Sequence, residues 1–77
     1  MDENKFAFIL GMITTNVIKD YKNEMSVSYE EAYKRFYNSK LYSMLEKEDT
    51  KMWYFSRWAL LRMFKEEMEN GVNDTGR

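Results

Sequence analysis

TKMWYFSRWALLRMFKEEMEN, residues 50–70, packs four aromatic rings into six consecutive positions and then settles into a regular apolar repeat. Read as one helix, it divides its large side chains between two faces. Trp53, Leu60, Leu61, Phe64 and Met68 share one arc, a stripe that predicts the core side. Tyr54, Phe55 and Trp58 fall on a second arc, interleaved with Lys51, Arg62 and Lys65. Between Lys51 and Lys65 there are four basic residues and no acidic one. Asp49-Thr50 offers a start signal and Gly71 a natural stop, so the spacing predicts a helix to Asn70.

The rest of the chain supports the same period. Phe6, Leu10, Ile13, Val17 and Tyr21 recur on one arc and predict a helix over residues 4–22, with Phe8 and Met12 on the opposite side. Residues 23–27 read as a connection. Ser28 and Glu31 form the S-x-x-E capping box, with Val27 and Ala32 as its hydrophobic staple. Tyr29, Ala32, Tyr33 and Phe36 are the expected buried stripe of the second helix. Leu41 and Leu45 point away from that stripe, which places a break at Asn38-Ser39 and a short helix over 40–47. Strand alternation, proline and internal repeats are all missing. The expected fold is all-α, a compact bundle of three main helices plus one short helix. Residues 1–70 form a single domain and residues 71–77 a disordered tail.

Composition narrows the function. The 77 residues contain no cysteine and no histidine, which removes thiolate chemistry, the commonest metal ligand and the commonest general base. No phosphate loop or calcium loop is present. Glu66 and Glu69 have the spacing to share a cation, but acidic clusters at helix ends are solvated faces more often than ligands. Ser and Thr residues lack an activating partner. No catalytic residue, metal or cofactor is expected. With 12 basic and 13 acidic residues the net charge is −1, which argues against wholesale binding to nucleic acid or anionic membrane. The longest apolar run, Phe6–Ile13, is too short for a bilayer, and Asp2 and Glu3 precede it where a signal peptide carries positive charge. A cytoplasmic protein is the expectation.

The aromatic–basic arc has two readings. In a small bundle a central helix is covered on both sides, so Tyr54, Phe55 and Trp58 are core and Trp58 with Arg62 forms a local cation–π pair. Alternatively, Trp, Tyr and Arg are the residue types that dominate interface hot spots. The first reading is preferred for Phe55 and the second for Trp58. The candidate partner-binding set is Lys51, Tyr54, Phe55, Trp58, Arg62 and Lys65, joined by Phe8 and Met12. A protein partner or a second copy is expected, with a two-fold homodimer the simplest cover. The alternative is a single strand of nucleic acid or another anionic ligand stacked on the same rings. Arg57 falls within the core arc, where a guanidinium needs a carboxylate; an ion pair with an acid of the first or second helix is expected.

The segments SYEEAYKRF, LYSMLE and TKMWYFS resemble a group of short bacterial proteins of unknown function, some of them encoded beside putative toxins with an ADP-ribosyltransferase-like fold. The resemblance spans roughly residues 6–60 and rests mostly on core positions and a cap. It implies a bacterial source and an antitoxin-like or accessory role, and it transfers no catalytic residue.

Overall fold

The computed structural model describes the backbone of residues 2–75 and the side chains of residues 2–70. Four helices follow in order: α1 (Glu3–Met25), α2 (Tyr29–Tyr37), α3 (Lys40–Leu45) and α4 (Arg57–Thr75). Two 3-10 turns, Glu48–Thr50 and Met52–Tyr54, connect α3 to α4. The fold is the expected all-α bundle of three longer helices and one short one.

Each helix start has a side chain that satisfies an otherwise orphaned amide. Asp2 accepts from the amide of Asn4 (2.8 Å), and Ser28 accepts from the amide of Glu31 (3.1 Å). The capping box is only half made, because Glu31 turns its carboxylate to Arg35 Nε (2.8 Å) instead of back to Ser28. The break between α2 and α3 falls at Asn38-Ser39 as expected. Asn38 Nδ2 donates to the carbonyl of Lys34 (2.9 Å), and Ser39 Oγ accepts from the amide of Tyr42 (3.0 Å) while donating to the carbonyl of Phe36 (2.6 Å). The start of α3 has a second cap that comes from across the bundle. Glu67 of α4 accepts from the amides of Lys40 (2.6 Å) and Leu41 (2.9 Å), so one carboxylate closes two orphan donors and ties α4 to α3.

The core is built where α1, α2 and α4 meet. Tyr21 packs on Phe64 with ring centroids 4.5 Å apart, and Phe36 meets Phe64 edge to face at 5.1 Å. Both are favoured geometries for aromatic pairs. Val17, Ile18, Ala32, Leu41, Leu45, Met52, Leu60 and Leu61 complete the buried cluster. Arg35 closes its rim, donating to Tyr21 Oη at 2.8 Å from one arm and to Glu31 from another. Two expectations about this core need correction. Tyr29 and Tyr33 lie on the outside of α2, since a nine-residue helix turns only the Ala32–Phe36 row inward. Trp53 is half-buried, packed edge to face against Phe6, and Met52 takes the core place beside it.

The last helix is shorter at its start than the sequence predicts. It begins at Arg57, not near Thr50, because residues 47–56 spend their hydrogen bonds locally. Thr50 Oγ1 donates to the carbonyls of Met44 and Lys47 (2.8 Å each), and Trp53 Nε1 donates to the carbonyl of Glu48 (2.9 Å). Lys51 adopts the left-handed region, with φ at 57°. No continuing α-helix tolerates that conformation. Ser56 then starts α4 by accepting from the amide of Ala59 (3.1 Å). At its other end α4 continues past Gly71 to Thr75. The expected disordered tail falls on residues whose side chains lie outside the described ones, as do residues 76 and 77 altogether.

Loss of either cap shows in stability. Ser28→Ala is expected to cost about 1 kcal/mol and Glu67→Ala about 1–3 kcal/mol, the second more because two amides lose a charged acceptor. Thermal melts followed by circular dichroism should fall by about 4–8 °C per kcal/mol in a domain of this size. An unchanged melting curve for Glu67→Ala would mean the cross-bundle cap is not formed.

Candidate functional site

The candidate residues are all on the surface, but the structure divides them into groups. Residues 51–56 are not helical with α4, so the shared arc predicted for Lys51, Tyr54, Phe55, Trp58, Arg62 and Lys65 does not exist. Tyr54 stands on the second 3-10 turn, 71% exposed, with its ring stacked on Trp53 at 4.2 Å. Phe55, expected in the core, is exposed at the turn into α4. Trp58 occupies the first turn of α4 and is 69% exposed. Arg57 lies outside the core as well. Its Nε and one terminal nitrogen hold both oxygens of Asp20 of α1, at 3.0 and 2.8 Å. This is the ion pair expected with the first helix, made in the two-pronged form that favours arginine. The same guanidinium sits 5.5 Å over the Trp58 ring. The cation–π partner is therefore Arg57 in place of Arg62. Asp20 thereby fixes Arg57, and Arg57 fixes the indole.

Trp58, Arg62 and Lys65 line one groove, but Glu24, Glu66 and Glu69 line it too. Lys65 is paired with Glu24. The face is therefore mixed in charge and less basic than the run of residues 51–65 suggests. Phe8 and Met12 lie apart from this groove, in an open depression built wholly from α1. Among the described residues no group of three or more Asp, Glu, His or Cys is arranged to hold a metal ion, and no helix is long and apolar enough to cross a membrane.

A further surface went unread in the sequence. Tyr29, Tyr33, Tyr37 and Tyr42 form an outer ladder, with successive ring centroids 6.3, 4.5 and 4.6 Å apart. The signal was present as Tyr29, Tyr33 and Tyr37 at intervals of four, but it reads equally well as a buried stripe. Burial raises the Tyr37 phenol above its ordinary value, and the neighbouring Tyr42 and Tyr33 add to the shift. Burial raises Tyr42 as well, with Glu46 opposing a second negative charge.

Comparison with protein-family models, with characterised proteins and with solved structures finds no match to this chain.

Two outcomes follow from this placement. Trp58→Ala should change stability by no more than about 0.5 kcal/mol, whereas Trp53→Ala should cost about 1–3 kcal/mol. In Trp→Phe variants of the dilute chain, acrylamide should quench Trp58 more strongly than Trp53; equal quenching would contradict the assignment. For the ladder, the raised phenols favour the neutral form in the fold. Their stabilising contribution is complete below the ordinary tyrosine value of about 10 and is lost as pH rises through the raised values. In an absorbance titration at high pH, Tyr37→Phe and Tyr42→Phe should each remove a late-ionising phenol; a late part of the curve left unchanged by both would contradict this.

Proposed function

We propose that the chain is a non-enzymatic protein-interaction module, antitoxin-like or accessory in role, that binds a protein partner through Tyr54, Phe55 and Trp58 at the junction leading into α4. The observation that carries this reading is the fixed presentation of exposed rings. Tyr54 is stacked on Trp53, and Trp58 is held under an arginine that Asp20 immobilises. An aromatic anchor that is exposed yet already ordered loses little entropy on binding, and Trp, Tyr and Arg are the usual interface anchors. Lys51 and Arg62 stand nearby as exposed cations suited to acidic groups of the partner. The absence of histidine and cysteine supports the non-enzymatic part of the reading.

Binding to single-stranded nucleic acid through the same rings is the less favoured reading. Two of the four cations, Arg57 and Lys65, are already paired with carboxylates, and three glutamates line the groove beside Trp58. Phosphate binding calls for a positive track and weakens steeply with salt.

The test is affinity capture from the source cells with the wild-type chain and with the pair Tyr54→Ala/Trp58→Ala. A protein should be recovered by the wild type, survive nuclease treatment and raised salt, and bind the variant at least about 30-fold more weakly, the loss expected of a hot spot worth about 2 kcal/mol. Equal recovery by a folded variant would overturn the reading. Loss of the partner on nuclease treatment would favour the nucleic-acid alternative.

A further inference from the structure

We infer that the tyrosine ladder is an oxidative modification site, at which a one-electron oxidant joins Tyr37 to Tyr42 by a carbon–carbon bond and so staples α2 to α3. The site is separate from the rings around residue 58 and does not depend on the reading given for them. The chain has no cysteine, the residue that ordinarily intercepts oxidants first, so the phenols are among the groups left to react.

The geometry singles out this pair. The Tyr37 and Tyr42 ring centroids stand 4.6 Å apart with their planes tilted by 58°. A biphenol also holds its two rings twisted out of a common plane, with centroids only slightly closer than this. Bond formation therefore needs no more than small side-chain torsions, which occur within picoseconds to nanoseconds. The rings of Tyr33 and Tyr37 are as close, at 4.5 Å, but nearer to parallel at 40°, so they offer each other faces where the bond requires edges. Tyr42 is also held in place, half-buried and edge to face against Phe36 at 5.5 Å. Tyr37 ends α2 and precedes the break at Asn38-Ser39, where the backbone has left the helix and can follow the ring. A staple at this point closes the break covalently.

The ladder supplies the rest of the chemistry. Tyr29 and Tyr33 are the more exposed rungs, and each ring contacts the next, so an electron lost at the outer rungs is replaced from Tyr37. A diffusible one-electron oxidant such as the carbonate radical takes one electron from Tyr37 and a second equivalent takes one from Tyr42. Each phenol proton leaves with its electron. Glu46 acts electrostatically on the Tyr42 phenol, and a carboxylate so placed can take up that proton and pass it to water. The two neutral phenoxyl radicals carry spin on the Cε carbons beside oxygen. One Cε of each ring forms the new bond. Each of those carbons then releases its hydrogen as a proton while a proton returns to each oxygen, which restores both aromatic rings and both phenols. In sum the chain loses two hydrogen atoms, as two electrons and two protons, and two molecules of oxidant are reduced.

The sequence makes the bond readable. Trypsin cleaves after Lys22, Lys34, Arg35, Lys40 and Lys47, which leaves Tyr33, Tyr37 and Tyr42 on separate peptides, residues 23–34, 36–40 and 41–47. The dilute full-length chain is illuminated briefly with tris(bipyridine)ruthenium(II) and persulfate, which generate the one-electron oxidant ruthenium(III), and is then separated on a denaturing gel, digested and weighed. The expected product migrates as a monomer, shows biphenol fluorescence, and yields peptide 36–40 joined to 41–47 with the loss of two hydrogens. Tyr37→Phe and Tyr42→Phe, each checked for native circular dichroism, should abolish that species, while Tyr33→Phe should retain it. The yield should fall several-fold in urea, where the rings are no longer held together. Biphenol found only in cross-linked dimers, peptide 23–34 joined to 36–40 as the main product, or an equal yield in urea would each overturn the inference.

Discussion

Three rings hold this protein together. Tyr21 from α1, Phe36 from α2 and Phe64 from α4 meet in one contact cluster, and each is almost fully buried. In a chain of 77 residues, surface is large relative to volume and the hydrophobic core must be made from few side chains. These rings bury more area per residue than any aliphatic alternative. Once they meet, the angles of three helices are set, and α3 is drawn in by Leu41, Leu45 and the Glu67 carboxylate that caps it. Removing any one of the three rings would open a cavity costing about 3–5 kcal/mol, a large fraction of the stability available to so small a domain.

The same scarcity of interior explains the surface. One small core cannot enclose all the aromatic residues in this composition, and the remainder are distributed outside it. They are ordered there by local partners: Tyr54 by Trp53, Trp58 by Arg57, and the tyrosines of α2 by one another. The molecule is elongated, with one axis about twice the length of the shortest. α1 sets that long axis, because its 23 residues make it the longest helix. The fully buried residues of α1 begin at Thr14; before it the helix touches the body through Leu10 and Ile13 against the core and Phe6 against Trp53.

Much of the fold was legible because helix periodicity and caps are local signals. Ser28, Asn38 and Ser39 mark boundaries by chemistry that acts over three or four residues, and the structure uses all three. The pairing of Arg57 with an acid of α1 was legible from the cost of leaving a guanidinium unpaired. The true start of α4 was not. Lysine has no preference for the left-handed region, so nothing at Lys51 announces the reversal, and the hydroxyls of Thr50 and Ser56 act on backbone groups that a helical wheel assumes are occupied. An uninterrupted wheel therefore places Trp53 on the core arc and Phe55 on a second arc that a neighbouring helix would cover. The Glu67 cap was invisible for a different reason: its partners lie 26 and 27 residues away, and an acidic residue in a run reads as solvated. For the candidate surface, residue types pointed to Tyr54 and Trp58, whereas their grouping with Phe8 and Met12 depended on a helix that is not continuous.

A three-ring core organises the bundle, while residues 51–56 stand outside α-helical order and present Tyr54 and Phe55 to solvent. Native-state amide hydrogen exchange, resolved by residue in the dilute chain, tests it most directly. The slowest exchange, approaching the global unfolding free energy, is expected at residues 17–21, 32–36 and 60–64, with the amides of Trp53 and Ser56 exchanging far faster. Slow, uniform exchange running without interruption from residue 50 into residue 64 would contradict it, because a single continuous helix would then carry the aromatic run.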